Sequence, residues 1–149
     1  MYKKILVAVD LSEQDVAQPA LAAAIELANL TNADVRLVYV RHRLPNSPIG
    51  VIAADLLSDQ ETYFNEEMAK LAAKVPLAKE KLSTANLVGT VYAEILHEAK
   101  DWKADLIIVS AHTPSMATYL LGSNAAKIVR HADCTTLVVR SNKTLSLLD

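Results

Sequence analysis

The chain of 149 residues is poor in glycine, with only Gly50, Gly89 and Gly122. A P-loop sets a lysine directly after its second glycine, and no lysine here occupies that pattern. There is one cysteine, Cys134, so neither an internal disulfide nor a cysteine-based zinc cluster can form, and a reducing compartment is expected. Aromatic residues make up 5% of the chain, with one tryptophan (Trp102) and one phenylalanine (Phe64). The formal net charge is −2, which lacks the basic excess of a general nucleic-acid binder. No apolar run is long enough to span a bilayer, and the N-terminal MYKKILVAVD meets Asp10 too early for a signal peptide. The expectation is a cytoplasmic protein without membrane or nucleic-acid partners.

What is present is apolar mass. Hydrophobic residues make up 52% of the sequence, enough for a sizeable core in one domain. Four short apolar runs, Ile5 to Val9, Val35 to Val40, Leu106 to Val109 and Leu137 to Val139, are continuous rather than alternating. Such runs suit strands covered on both faces, as in parallel sheets. A fifth, less apolar run at Ala85 to Gly89 suits a sheet edge. Between the runs the spacing turns helical: Val16 to Ala28, then Phe64, Met68, Leu71 and Val75 up to Pro76, then Tyr92 to Lys100, then Ala125 to Ala132. Ser12 and Asp15 stand three apart and predict a capping box that starts the first helix. Arg41 to Ile52 holds Pro45, Pro48 and Gly50 and predicts a loop.

Strand and helix alternate throughout, which predicts a single α/β, Rossmann-like doubly wound domain with a five-stranded parallel sheet. Strand orders 2-1-3-4-5 and 3-2-1-4-5 both accommodate five strands, and the weak third strand favours the second. The domain is expected to occupy residues 1–140, with 141–149 as a C-terminal tail.

Ligands of open α/β sheets sit at the carboxyl ends of the strands, where the strand order reverses. In order 3-2-1-4-5 that place lies between the first and fourth strands. The first ends in Ala8, Val9 and Asp10; the fourth ends in Ser110 and leads to His112 and Thr113. Gly122, Ser123 and Asn124 open the last helix, whose first amides and partial positive charge suit an anion. A glycine and serine ahead of a helix are equally consistent with a plain cap. Lys127 and Arg130 read first as a solvated face, and His131 with Cys134 as packing rather than a metal site.

Three stretches, KKILVAVDLSE, ADLIIVSAH and YLLGSNAAKIVRHADCTTLVVR, resemble the universal stress protein family. The resemblance runs over essentially the whole chain and is loosest in the second helix and the loop before it. Many members of that family bind ATP, through an aspartate ending the first strand and a G-x2-G-x9-G-[ST] motif after the fourth. The resemblance implies that Asp10 meets the sugar or a bound Mg2+, that the Val40 backbone meets the base, and that Gly122 and Ser123 hold phosphates. Ser110 and Thr113 stand where the motif has its first two glycines, and eight residues, not nine, separate Thr113 from Gly122. A Cβ at both places narrows the gap for a phosphate, while Ser110, His112 and Thr113 bring side-chain donors in exchange.

The resemblance also implies a homodimer through the last strand, in the region of Thr136, Val138 and Arg140. The function expected is a stress-response signalling module that binds ATP, ADP or AMP and is not an enzyme, since no nucleophile stands beside a general base. The alternative is a stress protein that has lost the nucleotide and acts through protein contacts. A receiver domain is disfavoured because Asp10 has no acidic neighbour after the first strand and no aspartate ends the third. A flavin carrier lacks its Ser/Thr-rich phosphate loop.

Overall fold

The computed structural model describes residues 1–42, 50–111 and 122–140, with the backbone alone for 50–57. Five strands, β1 (Lys4–Ala8), β2 (Asp34–Arg41), β3 (Leu82–Val88), β4 (Leu106–Ser110) and β5 (Thr135–Val139), alternate with helices α1 (Pro19–Thr31), α2 (Gly50–Lys74), α3 (Val91–Trp102) and α4 (Ser123–His131). All pairings are parallel and the sheet order is β3-β2-β1-β4-β5. The weakest apolar run therefore does lie at an edge, as its composition predicts.

The continuous apolar runs fill both faces of the sheet. Ile5, Val7, Val35, Leu37, Leu106 and Ile108 point to one side and pack on Ala20, Leu21 and Ala24 of α1 and Met68 and Leu71 of α2. Leu6, Val38, Val40, Ile107 and Val109 point to the other, against Ile95 and Ala99 of α3 and Ala125 and Ile128 of α4. Alternate residues of one strand belong to opposite clusters because strand side chains alternate in direction. Two helices on each face are what right-handed crossovers from a central strand produce.

Two sequence expectations move. The first helix does not start from a Ser12/Asp15 box. It begins at Pro19, a residue whose missing N–H costs nothing at a helix start. Ser12 instead donates its N–H (2.9 Å) and Oγ–H (2.7 Å) to Asp10 Oδ1, a turn within the loop. Asp15 Oδ1 accepts the Ala17 N–H at 2.9 Å. The second helix begins at Gly50, so the predicted loop over Arg41 to Ile52 is shorter than expected. The chain leaves β3 through Gly89 at φ +150°, where an added Cβ would come within 2.8 Å of Glu94.

Trp102 packs at the margin of the α3/α4 side. The Arg36 guanidinium lies 4.7 Å from its ring centroid and the Lys4 ammonium 5.3 Å. Arg36 also pairs with Glu98 at 2.6 Å, so this cluster ties β2 to α3.

Candidate functional site

The carboxyl ends of β1 and β4 open onto a cleft of about 340 Å³, within the usual range for a small-molecule pocket. β1 contributes Ala8, and the chain beyond it Val9 and Asp10; β4 contributes Ser110, and α4 contributes Asn124. The apolar wall is Val91, Ile95, Val109 and Val139. The cleft thus forms where the strand order reverses: neighbouring crossovers leave toward opposite faces, and no helix closes the gap.

The described residues include eight of the ten positions predicted from the sequence: Ala8, Val9, Asp10, Val40, Ser110, Gly122, Ser123 and Asn124. Asp10 is exposed at the cleft, and its Oδ2 receives no hydrogen bond from the described residues. The Val9 N–H is committed to the Val38 carbonyl at 2.9 Å. Val40 sits near the end of β2 in register with Leu87; it is buried and does not line the cleft. Gly122 is the N-cap of α4, with Ser123 and Asn124 exposed in its first turn; of these three, Asn124 lines the cleft and Gly122 and Ser123 do not. His112 and Thr113 lie outside the described residues.

Among the described residues nothing caps the start of α4. The first intrahelical bond runs from the Ala126 N–H to the Gly122 carbonyl at 3.0 Å, and no side chain caps the helix. The N–H groups of Ser123, Asn124 and Ala125 therefore have no partner among the described residues. Gly122 has φ −54°, a conformation open to any residue, so backbone freedom does not explain a glycine there. A glycine at this cap adds no side chain of its own over the first amides of α4.

Electrostatically the cleft is acidic apart from that helix end. Asp10 and Glu13 line it, and no lysine or arginine does among the described residues. Lys127, one turn into α4, sits 4.6 Å over the Tyr92 ring instead. The field of Asp10 reaches across to β2. The Tyr39 hydroxyl is held above its ordinary pKa, by burial first and by the Asp10 carboxylate second.

Sequence reasoning missed Gln18, the single buried polar side chain among the described residues, which lines the cleft beside Asp10 and Glu13. Its only signal is a polar residue directly ahead of a helix-starting proline. Val139 was missed as a cleft residue because nothing in an apolar run marks which member faces a cavity.

At the opposite end of the sheet a groove of about 560 Å³ runs between the C-terminal ends of α3 and α4, lined in part by Lys100, Lys103, His131 and Cys134. No cluster of three or more metal-ligating side chains occurs among the described residues, here or elsewhere. Burial, and then the carboxylates of Asp105 and Asp133, push the Cys134 thiol above its ordinary pKa. Cys134 is expected to react with iodoacetamide at pH 7 more slowly than free cysteine, because less of it is thiolate. Alkylation as fast as that of free cysteine would contradict this environment.

The chain as a whole matches the universal stress protein family over residues 1–140. Universal stress protein G of Shigella flexneri is 31% identical over 146 residues, covering 94% of this chain and all of that protein. Universal stress protein A homolog 2 of Coxiella burnetii is 30% identical over 145 residues, covering 93% of this chain and 95% of that one. Among solved structures, UspA from Lactobacillus plantarum superposes with a TM-score of 0.75 at 26% identity, over 93% of this chain and 98% of that chain. A universal stress protein solved in complex with cAMP shares the fold, with a TM-score of 0.62 at 24% identity over 93% of this chain and 96% of that one. No helix among the described residues is long and apolar enough to cross a membrane. With strand order and sequence in agreement, the chain belongs to the universal stress protein family.

Proposed function

We propose that this protein is a nucleotide-binding stress-response module of the cytoplasm that binds ATP in the β1/β4 cleft and works as a homodimer rather than as an enzyme. The observation that carries the reading is the convergence of Asp10 and the uncapped start of α4 on one cleft. Three free amides and the helix dipole favour phosphate at one side, and a free carboxylate oxygen suits a ribose hydroxyl or a cation at the other. The cAMP complex of a related fold supports a nucleotide as the class of ligand.

The residues present fit Mg2+ when it arrives with the phosphates. Mg2+ binds through one or two carboxylates plus phosphate oxygens and retains several waters, and Asp10 offers one uncommitted oxygen. Bound there, the cation offsets the repulsion between phosphate and the two carboxylates of the cleft. The remaining work falls to the chain itself. The α4 amides orient phosphate, and Val91, Ile95 and Val109 offer an apolar wall to the rest of the ligand.

The experiment is a thermal shift with Mg-ATP. A ligand at about a hundred times its Kd stabilises the native state by about 2.7 kcal/mol, which raises Tm by several degrees in a domain of this size. ATP with EDTA is expected to shift Tm less. Gly122→Ser separates cap from cradle. A serine cap oxygen takes one of the free amides, so the unliganded protein gains a few tenths of a kcal/mol while the Mg-ATP shift shrinks. Absence of any shift at millimolar Mg-ATP would sink this reading in favour of a member acting through protein contacts alone, the reading that Ser110 in place of the motif's first glycine supports.

A further inference from the structure

We infer that Gln18 is a positioning residue of the cleft, clamping the β1–α1 loop so that Asp10 presents its free carboxylate oxygen to the ligand. The inference rests on the nucleotide reading above. Gln18 is 7% exposed, and its amide is saturated by the loop it closes. Oε1 accepts the Asp10 N–H at 3.0 Å, while Nε2 donates to the carbonyls of Glu13 (2.8 Å), Asp15 (3.2 Å) and Asp10 (3.4 Å). The Gln18 N–H donates to the Asp15 carbonyl at 3.2 Å, and its own carbonyl accepts the Ala22 N–H at 2.9 Å, the first bond of α1.

One side chain thus holds both cleft acids. It grips the backbone of Asp10 on both sides of the residue and the backbone of Glu13 on one. The Asp10 carboxylate is oriented in turn, since Ser12 takes Oδ1 and leaves Oδ2. The geometry needs a group that both accepts and donates at that length. Glutamate accepts the Asp10 N–H but offers nothing to the carbonyls, and methionine does neither. A loop between a strand end and a helix otherwise has several conformations of similar energy, and a buried, fully satisfied amide selects one.

Isothermal titration of Mg-ATP into wild type, Gln18→Met, Asp10→Asn and the double variant tests the inference. Gln18→Met is expected to weaken binding about ten- to a hundredfold, the range for groups that orient a direct ligand. In the Asp10→Asn background the same change is expected to cost little, because both losses pass through one carboxylate. An equal loss in both backgrounds, or no loss in the single variant, overturns the inference.

Amide hydrogen exchange separates the clamp from the ligand. The Asp10 N–H is expected to exchange faster in Gln18→Met while the β1 amides keep their protection. Unchanged exchange at Asp10 refutes the clamp whatever the binding data show. If wild type itself takes up no Mg-ATP, the nucleotide reading fails and the role of Gln18 toward a ligand fails with it, even where the exchange result holds. Should Gln18→Met not fold, Gln18→Glu replaces it: its affinity relative to wild type is expected to recover as pH falls and the new carboxyl protonates, and a ratio independent of pH counts against positioning.

Discussion

Val138→Pro is expected to give a folded monomer if the proposed homodimer forms through β5. The direction follows from how β5 hangs on the sheet. The Val139 carbonyl accepts the Ala111 N–H at 3.0 Å, so Val139 turns its backbone groups toward β4. Alternate residues of a strand turn theirs the opposite way, and Thr136 and Val138 therefore present N–H and C=O at the open edge. A proline at Val138 removes an edge donor without removing a β4–β5 hydrogen bond, and proline is tolerated in strands at such places.

An apolar edge whose outward groups have no backbone partner among the described residues pairs most simply with a second copy of itself about a two-fold axis. The side chains match that use. Leu137 is 37% exposed on the face away from α4, and Val129 of α4 is 48% exposed. Light scattering of wild type and variant decides the matter. A dimer that survives Val138→Pro places the contact elsewhere, and a wild-type monomer removes the homodimer from the proposal.

Ile108→Ala is expected to be strongly destabilising. Ile108 is fully buried in β4, in register with Val7 on one side and Leu137 on the other. It packs in the cluster beneath α1 and α2, where no solvent can fill the space left behind. Loss of transfer energy plus a residual cavity costs about 3 kcal/mol, a fall in Tm of roughly 10 °C for a domain of this size. Leu137→Ala, one strand outward in the same register, removes a partly exposed side chain and is expected to cost under about 1 kcal/mol. Thermal unfolding of the two variants side by side checks this, and equal losses would mean that the sheet centre is not where the register puts it.

The legible parts of the fold were those written in burial. β1, β2 and β4 are continuous apolar runs because helices cover both of their faces, and the same pattern revealed β3 as an edge through its weaker composition. The start of α1 was illegible because Ser12 and Asp15 imitate a cap. Both act instead on the loop, Ser12 on Asp10 and Asp15 on Ala17, and only the packed loop shows which backbone group each side chain serves. The start of α2 was hidden because Pro45, Pro48 and Gly50 read as turn formers in the sequence, whereas Gly50 is the first residue of the helix.

The candidate site divides in the same way. Asp10, Ser110 and Asn124 follow from the rule that strand ends converge where the order reverses, and that order follows from alternating elements and one weak strand. Gln18 does not follow from it. The residue is an ordinary polar side chain in the sequence, and its importance arises from four hydrogen bonds made to loop backbone after the loop has closed.

The sequence alone determined the class of fold, the strands at its centre and the family, because hydrophobic patterning and local motifs are carried by residues near one another in the chain. The tertiary structure alone decided where the helices begin, which oxygen of Asp10 is left uncommitted and which amides of α4 stand open. Those outcomes depend on hydrogen bonds between distant or loop segments, whose partners exist only once the sheet has assembled.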